Sequence, residues 1–159
     1  MTNYITVQKA SLADVHEVAT MVGELLNEIM CTIGVQAFNF KLDETIERLR
    51  DFIEHEKYFV FVAQDTHAGP IGFVTLSESH ALYAAGTFGI IQEFYVRPEF
   101  RSQNVGLRLM EQATNFGKSR CWTRLEVTTP PIPQFQKTLA FYEREGFAIT
   151  GGRKLRRAL

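Results

Sequence analysis

The sequence predicts a mixed α/β fold: a mostly antiparallel sheet with a central parallel strand pair, flanked by helices. Three observations carry this expectation. Two apolar runs, Tyr58 to Ala63 and Ile71 to Leu76, are joined by the turn-forming His67-Ala68-Gly69-Pro70, so they read as adjacent buried strands. A long strand from Thr87 to Val96 is followed by a helical pattern and then a strand from Arg124 to Thr128, the order of a βαβ crossover, so these two strands should run parallel. Two amphipathic stretches precede all of these strands except a short first one, which supplies helices to cover the sheet.

The elements follow in order. Tyr4 to Val7 reads as a short strand. Ser11 opens a helix, with Asp14 three residues on as its capping-box partner. Val15, Val18, Val22, Leu25, Leu26 and Ile29 fall on one face of that helix, and Leu42, Ile46, Leu49, Phe52 and Ile53 on one face of the next. Met30 to Phe40, with Gly34, reads as an irregular connection. A loop is expected around His80 to Gly86, and Pro98 ends the long strand. Val105, Leu109, Ala113 and Phe116 mark the crossover helix. A proline-rich loop at Pro130 to Pro133 leads to a last helix with Phe135, Leu139 and Tyr142 on one face and Gly146 at its C-terminal cap. Thr150-Gly151-Gly152-Arg153 reads as a hairpin turn between two short final strands. The expected order is β-α-α-β-β-β-α-β-α-β-β.

No repeat or low-complexity linker divides the 159 residues, so residues 1–159 read as one domain, long enough to bury a core. The 17 Lys and Arg nearly balance the 18 Asp and Glu, which disfavours a whole-chain attraction to nucleic acid or to an anionic membrane. The lack of aromatic–basic interleaving also disfavours nucleic-acid binding. No apolar run is long enough to span a bilayer. Met1-Thr2-Asn3-Tyr4 lacks the basic-then-apolar pattern of a signal peptide, so a cytoplasmic location is expected. Cys31 and Cys121 have no metal spacing between them and read as reduced thiols. His16, His55, His67 and His80 have no metal spacing either, and no metal is expected.

Most chemistry is concentrated in Val96-Arg97-Pro98-Glu99-Phe100-Arg101-Ser102-Gln103-Asn104-Val105-Gly106-Leu107, between a strand end and a helix start. The first N–H groups of a helix have no intrahelical acceptor and lie at the positive end of its dipole. A phosphate or pyrophosphate can accept several of them at once. Ser102 and Gly106 are small enough to let a ligand approach the backbone, and Asn104 tolerates positive φ. Arg101 or Arg108 can add charge. The competing reading is a plain strand-to-helix connection. The segment lacks the Gly-Lys-Ser/Thr of a P-loop and the three spaced glycines of a dinucleotide fingerprint.

This segment resembles motif A of the GCN5-related N-acetyltransferase (GNAT) superfamily, whose loop reads Arg/Gln-x-x-Gly-x-Gly/Ala; here it is Arg101-Ser102-Gln103-Asn104-Val105-Gly106. Phe94 to Phe100 resembles the strand end and lead of that motif. Leu139-Ala140-Phe141-Tyr142-Glu143-Arg144-Glu145-Gly146-Phe147 resembles the family's A-x-x-Y-E-x-x-G-F helix and turn. The element order matches over essentially the whole chain. The resemblance implies acetyl-CoA as cosubstrate, with Phe94, Tyr95 and Val96 along its pantetheine arm. Arg101 through Leu107 (Arg101, Ser102, Gln103, Asn104, Val105, Gly106 and Leu107) would lie at its pyrophosphate. It implies that the two parallel strands splay apart around the cofactor. Asn104 stands where the family usually has glycine, and Phe135 where it often has a cofactor-contacting asparagine.

The resemblance also implies an acetyl transfer from acetyl-CoA to a primary amine, on a small molecule, a peptide or a protein. That chemistry needs a base for the amine and a proton for the departing thiolate. Tyr142 matches the family's general acid and also sits at the cofactor. The base candidates are Glu93, near the end of the long strand, and Glu126 on the neighbouring one; either can instead be a half-buried carboxylate bonded to a neighbour. The alternative function is a non-catalytic acyl-CoA-binding or regulatory module on the same fold. The expected partner is an amine substrate; a homodimer stands open. Arg153, Lys154, Arg156 and Arg157 are expected on the outer face of a final edge strand.

Overall fold

The computed structural model describes residues 4–159. Met1, Thr2 and Asn3, part of the stretch read for an export signal, lie outside the described residues. The chain forms two compact units, one extending through Thr128 and the other Thr129–Leu159.

The first unit is a five-stranded sheet in the order β1 (Ile5–Lys9), β2 (Phe59–Asp65), β3 (Gly69–Ala81), β4 (Gly86–Val96), β5 (Leu125–Val127). Neighbours from β1 to β4 are antiparallel, and β4–β5 is parallel. The mixed sheet expected from the sequence is therefore present. Helices α1 (Val15–Ile33) and α2 (Leu42–Glu54) lie between β1 and β2, and α3 (Val105–Ser119) forms the crossover.

Strand alternation assigns the helices to opposite faces. Val60 and Val62 of β2 and Phe73 of β3 pack in one cluster with Val15, Val18, Ala19 and Met21 of α1 and Leu49 of α2. Phe59 and Phe61, the intervening residues, place their rings 4.7 and 5.6 Å from Phe116 of α3. On that second face, Trp122 fills the space left by Gly89 on β4 and Gly117 on α3, where an added Cβ would overlap its ring. Its indole Nε1 donates to Glu78 Oε1 at 2.8 Å.

The Ser11–Asp14 capping box is formed, and it starts a short 3-10 turn that runs directly into α1. Three expectations need correction. Helix α1 continues through Ile33 and closes at Gly34, φ +68, so the irregular connection starts four residues later than Met30. The residues Met30 to Ile33 carry no helix breaker, and the left-handed glycine is the real stop. Strand β3 continues through His80 and Ala81, so the loop expected from His80 shrinks to residues 82–85. Each residue from Ser77 to Ala81 pairs with β4, and His80 Nδ1 lies 3.0 Å from Thr87 Oγ1. This half of the hairpin is polar, so it shows none of the apolar run that marks the buried half.

The third correction concerns the end of the chain. Among the described residues no strand follows β5, which is the outer strand of the sheet. Residues 151–159 are exposed and irregular, and Arg153, Lys154, Arg156 and Arg157 sit on that segment instead of an edge strand. Leu155 and Leu159 are its only large apolar residues and both are fully exposed, so pairing would bury little apolar surface against four charges.

The second unit contains α4 (Gln136–Arg144). Tyr142 is buried, with its ring 5.5 Å from Phe141 and 5.4 Å from Phe147. The Phe147 N–H donates to the Tyr142 carbonyl at 3.0 Å, folding the chain back after Gly146, φ +92.

Candidate active site

The centre of the site is an irregularity in β4. Thr75 faces Glu93, but the next residue of β3, Leu76, faces Ile91. Gln92 is therefore an extra residue, a β-bulge. The bulge coincides with the end of the parallel ladder: β4 pairs β5 at Gly89↔Leu125, Ile90↔Glu126 and Ile91↔Val127. Beyond it β4 continues from Gln92 to Val96. Phe94, Tyr95 and Val96 all lie on this extension.

Glu93 projects to the α1/α2 face, because it pairs with Thr75, two residues along from Phe73 of that core. Its N–H donates to Thr75 Oγ1 at 2.9 Å. The same Thr75 hydroxyl donates to Glu93 Oε2. Tyr58 Oη donates to Glu93 Oε1 at 3.3 Å. Burial pushes the Glu93 carboxyl above the ordinary glutamate range, and the two hydroxyls oppose part of that rise. Burial, with the adjacent Glu93 charge, likewise pushes the Tyr58 phenol up. A carboxylate with a raised affinity for protons, held by one donor per oxygen, retains lone pairs for a further partner.

Glu126 stands opposite Ile90 on β5. It is half exposed and its Oε2 accepts from Arg124 Nε at 2.9 Å. It is thus a carboxylate paired with a cation, in contrast to the half-buried Glu93, which is held by two hydroxyls.

The loop from Arg101 to Asn104 opens α3. Ser102 and Asn104 both occupy the left-handed region, φ +65 and +62. Asn104 makes no side-chain cap, and the first intrahelical bond is from Arg108 N–H to Asn104 O at 3.0 Å. Among the described residues, no acceptor within the protein takes up the N–H groups of Ser102, Gln103, Asn104, Val105, Gly106 or Leu107. Ser102, Gln103 and Asn104 are exposed, Gly106 and Leu107 half-buried, and Val105 points its side chain into the core. Left-handed residues on either side of Gln103, with unclaimed N–H groups around them, make a backbone of the kind that can cradle an anion.

The Arg101 guanidinium is engaged within the protein. It forms a two-pronged pair with Glu28 of α1 at 2.8 and 2.7 Å, its Nε donates to the Val96 carbonyl at 2.8 Å, and it covers the Tyr95 ring at 5.6 Å. Arg97 reaches Glu24 of α1 at 3.2 Å and the Pro70 carbonyl at 2.7 Å. These two pairs fasten the loop to α1 one turn apart. Sequence reading missed the pairing, and also Tyr58 and Thr75: their partners are 18 to 73 residues away. The i,i+4 spacing of Glu24 and Glu28, matching that of Arg97 and Arg101, is the one local signal for them.

Tyr142 belongs to the second unit, in the ring cluster described above, and burial pushes its phenol up. Among the described residues no group of three or more His, Cys, Asp or Glu side chains could hold a metal ion. No described helix is long and apolar enough to cross a membrane.

Residues 56–149 match the model of the acetyltransferase (GNAT) domain, more than half of the chain. No curated protein matches by sequence. Among solved structures, the fold is similar to a GCN5-related N-acetyltransferase from Ralstonia eutropha JMP134 (15% identity, 97% of this chain and 99% of that one, TM-score 0.78). It is similar also to a predicted acetyltransferase with acetyl-CoA from Clostridium acetobutylicum (13% identity, 97% and 96%, TM-score 0.78). A third is a ribosomal-protein-alanine N-acetyltransferase from Brucella melitensis biovar Abortus 2308 (17% identity, 98% and 99%, TM-score 0.73). The mixed sheet with its parallel β4–β5 pair and flanking helices is thus a GNAT-like fold. The chain belongs to the acetyltransferase (GNAT) family and is a GNAT-type N-acetyltransferase.

Proposed function

We propose that residues 1–159 act as one domain that transfers the acetyl group of acetyl-CoA to a primary amine of a small molecule, peptide or protein. The observation that carries the donor assignment is the row of unclaimed N–H groups from Ser102 to Leu107 at the start of α3. They suit a pyrophosphate, a doubly anionic group with several acceptors. The extension of β4 past its last β5 pair leads to these N–H groups, and Phe94, Tyr95 and Val96 suit an extended arm that continues the strand's hydrogen bonding. The Clostridium relative, solved with acetyl-CoA, supports the same donor.

Acetyl-CoA supplies an acyl group already activated as a thioester. Glu93 is the better base: it is half-buried, carries a raised proton affinity and has a defined orientation, whereas Glu126 is tied to Arg124. Glu93 takes the proton of the incoming ammonium on its carboxylate. Tyr142 is the proton donor to the leaving thiolate; this role rests on its motif, and its raised phenol keeps the proton in place until then. Two exposed free thiols, Cys31 and Cys121, support a reducing, cytoplasmic setting.

The test is thiol release by the purified protein with acetyl-CoA over a panel of amines. The name of the Brucella relative puts protein N-terminal alanine on that panel. Turnover with one amine is expected. Tyr142→Phe should retain CoA affinity in calorimetry and lose about a hundredfold or more in kcat. Gly106→Asp should weaken CoA binding by about tenfold or more, ~1.4 kcal/mol, by setting a carboxylate against the pyrophosphate. Tight CoA binding with no thiol release across the panel would leave only an acyl-CoA-binding module.

A further inference from the structure

We propose that Thr75 and Tyr58 are positioning residues for Glu93, holding its carboxylate by one oxygen each and fixing it to the β4 bulge. This goes beyond the assignment of Glu93 as base and rests on it only for its catalytic consequence.

The bulge creates the need. Gln92 interrupts the β3–β4 register, and the Glu93 N–H goes to a side-chain hydroxyl, Thr75 Oγ1, at 2.9 Å. By accepting that N–H, the Thr75 oxygen is set so that its own proton points at Glu93 Oε2. One hydroxyl therefore locks both the backbone and the side chain of Glu93. Tyr58 secures Oε1 from the other side, at 3.3 Å. The Tyr58 ring is held against Phe52 of α2, 4.9 Å between centroids, so the second anchor reports the position of a helix on the α1/α2 face.

Tyr58 is the titratable group that faces Glu93. The charges of the neighbouring elements are engaged elsewhere. Glu24 and Glu28 of α1 pair with Arg97 and Arg101, Asp51 of α2 with His55 and Lys57, and Glu126 of β5 with Arg124. Among the described residues Glu93 thus has no cation to hold it ionised, and the two hydroxyls are what favours its charged form. Removing either should make the carboxylate harder to form.

The experiment follows the Glu93 carboxyl by NMR in the whole protein, free of ligands and labelled with 13C at glutamate side-chain carboxyls; Glu93→Gln identifies the signal. Thr75→Val and Tyr58→Phe should each move its titration midpoint upward by roughly one pH unit. Thr75→Ser, which keeps the hydroxyl, should titrate like the wild type. Midpoints unchanged in both Thr75→Val and Tyr58→Phe would overturn the proposal, as would Thr75→Ser behaving like Thr75→Val. If Thr75→Val does not fold, Tyr58→Phe decides alone. With an amine from the panel, the acid limb of kcat/KM should shift upward in parallel. Full turnover by Glu93→Gln would remove Glu93 as base and leave the NMR result standing. An inactive Glu93→Gln with unshifted profiles in the two hydroxyl variants would keep the base and remove the positioning.

Discussion

Asn104 occupies φ +62 at the threshold of α3, where an L side chain other than Asn or Asp is disfavoured and glycine is at ease. This explains how asparagine can stand at the glycine position of the motif that the segment resembles. Asn104→Gly should therefore leave urea stability within about 0.5 kcal/mol of wild type. Asn104→Val should cost about 1–2 kcal/mol, since a β-branched residue pays the full left-handed penalty. Equal stability of the two variants would show that the loop does not hold this conformation. The tolerance of Asn104 was legible in the sequence, because it is a property of one residue. Ser102, also left-handed at φ +65, was not: serine carries no such signal, and the surrounding loop imposes the angle.

At the scale of elements, the contact between α3 and the sheet depends on two missing side chains. Gly89 on β4 and Gly117 on α3 both face the Trp122 ring. Gly89→Ala should cost about 1–3 kcal/mol through overpacking, read as a lower midpoint of denaturant unfolding without a change in slope. An unaffected midpoint would mean that Trp122 can move aside. Helices α1, α2 and α3 were legible because their apolar spacing follows burial, and β2 because it is buried on both faces. The outer half of β3 and the missing final strands were not. Whether a polar segment becomes a strand depends on a partner being in register, and partner geometry is not a property of the segment. Ser77 to Ala81 found one in β4; Thr150 to Leu159 did not.

For the whole molecule, Glu93 sets a pH dependence. Burial raises its folded pKa above the unfolded one, so the folded state holds the proton over a range where the unfolded state has released it. Stability contributed by this group is then greatest below the ordinary glutamate value and declines as pH rises through the folded value. Glu93→Gln should gain stability relative to wild type as pH increases from about 4 to 8, the window above the ordinary glutamate value. Parallel stability curves across that window would show that the carboxylate is solvated. The unclaimed N–H groups at the start of α3 were legible because strand end, helix start and small residues coincide in one segment. The setting of Glu93 was hidden, because it is assembled from Tyr58, just ahead of β2, and from β3 and β4 by a register shift that no local pattern announces.

Trp122 has one more consequence, since the chain has a single tryptophan. Its indole is half-buried, 5.4 Å from the Phe116 ring and bonded to Glu78, at the far end of the helix whose first turn carries the unclaimed N–H groups. The protein therefore contains its own optical gauge. Its fluorescence, which changes as the indole passes from its packed site into water, reports this junction and no other. If the sheet and α3 unfold as one cooperative body, that signal and far-UV circular dichroism share a midpoint. A ligand that stiffens α3 from its N-terminus becomes visible, without a label, at the opposite end.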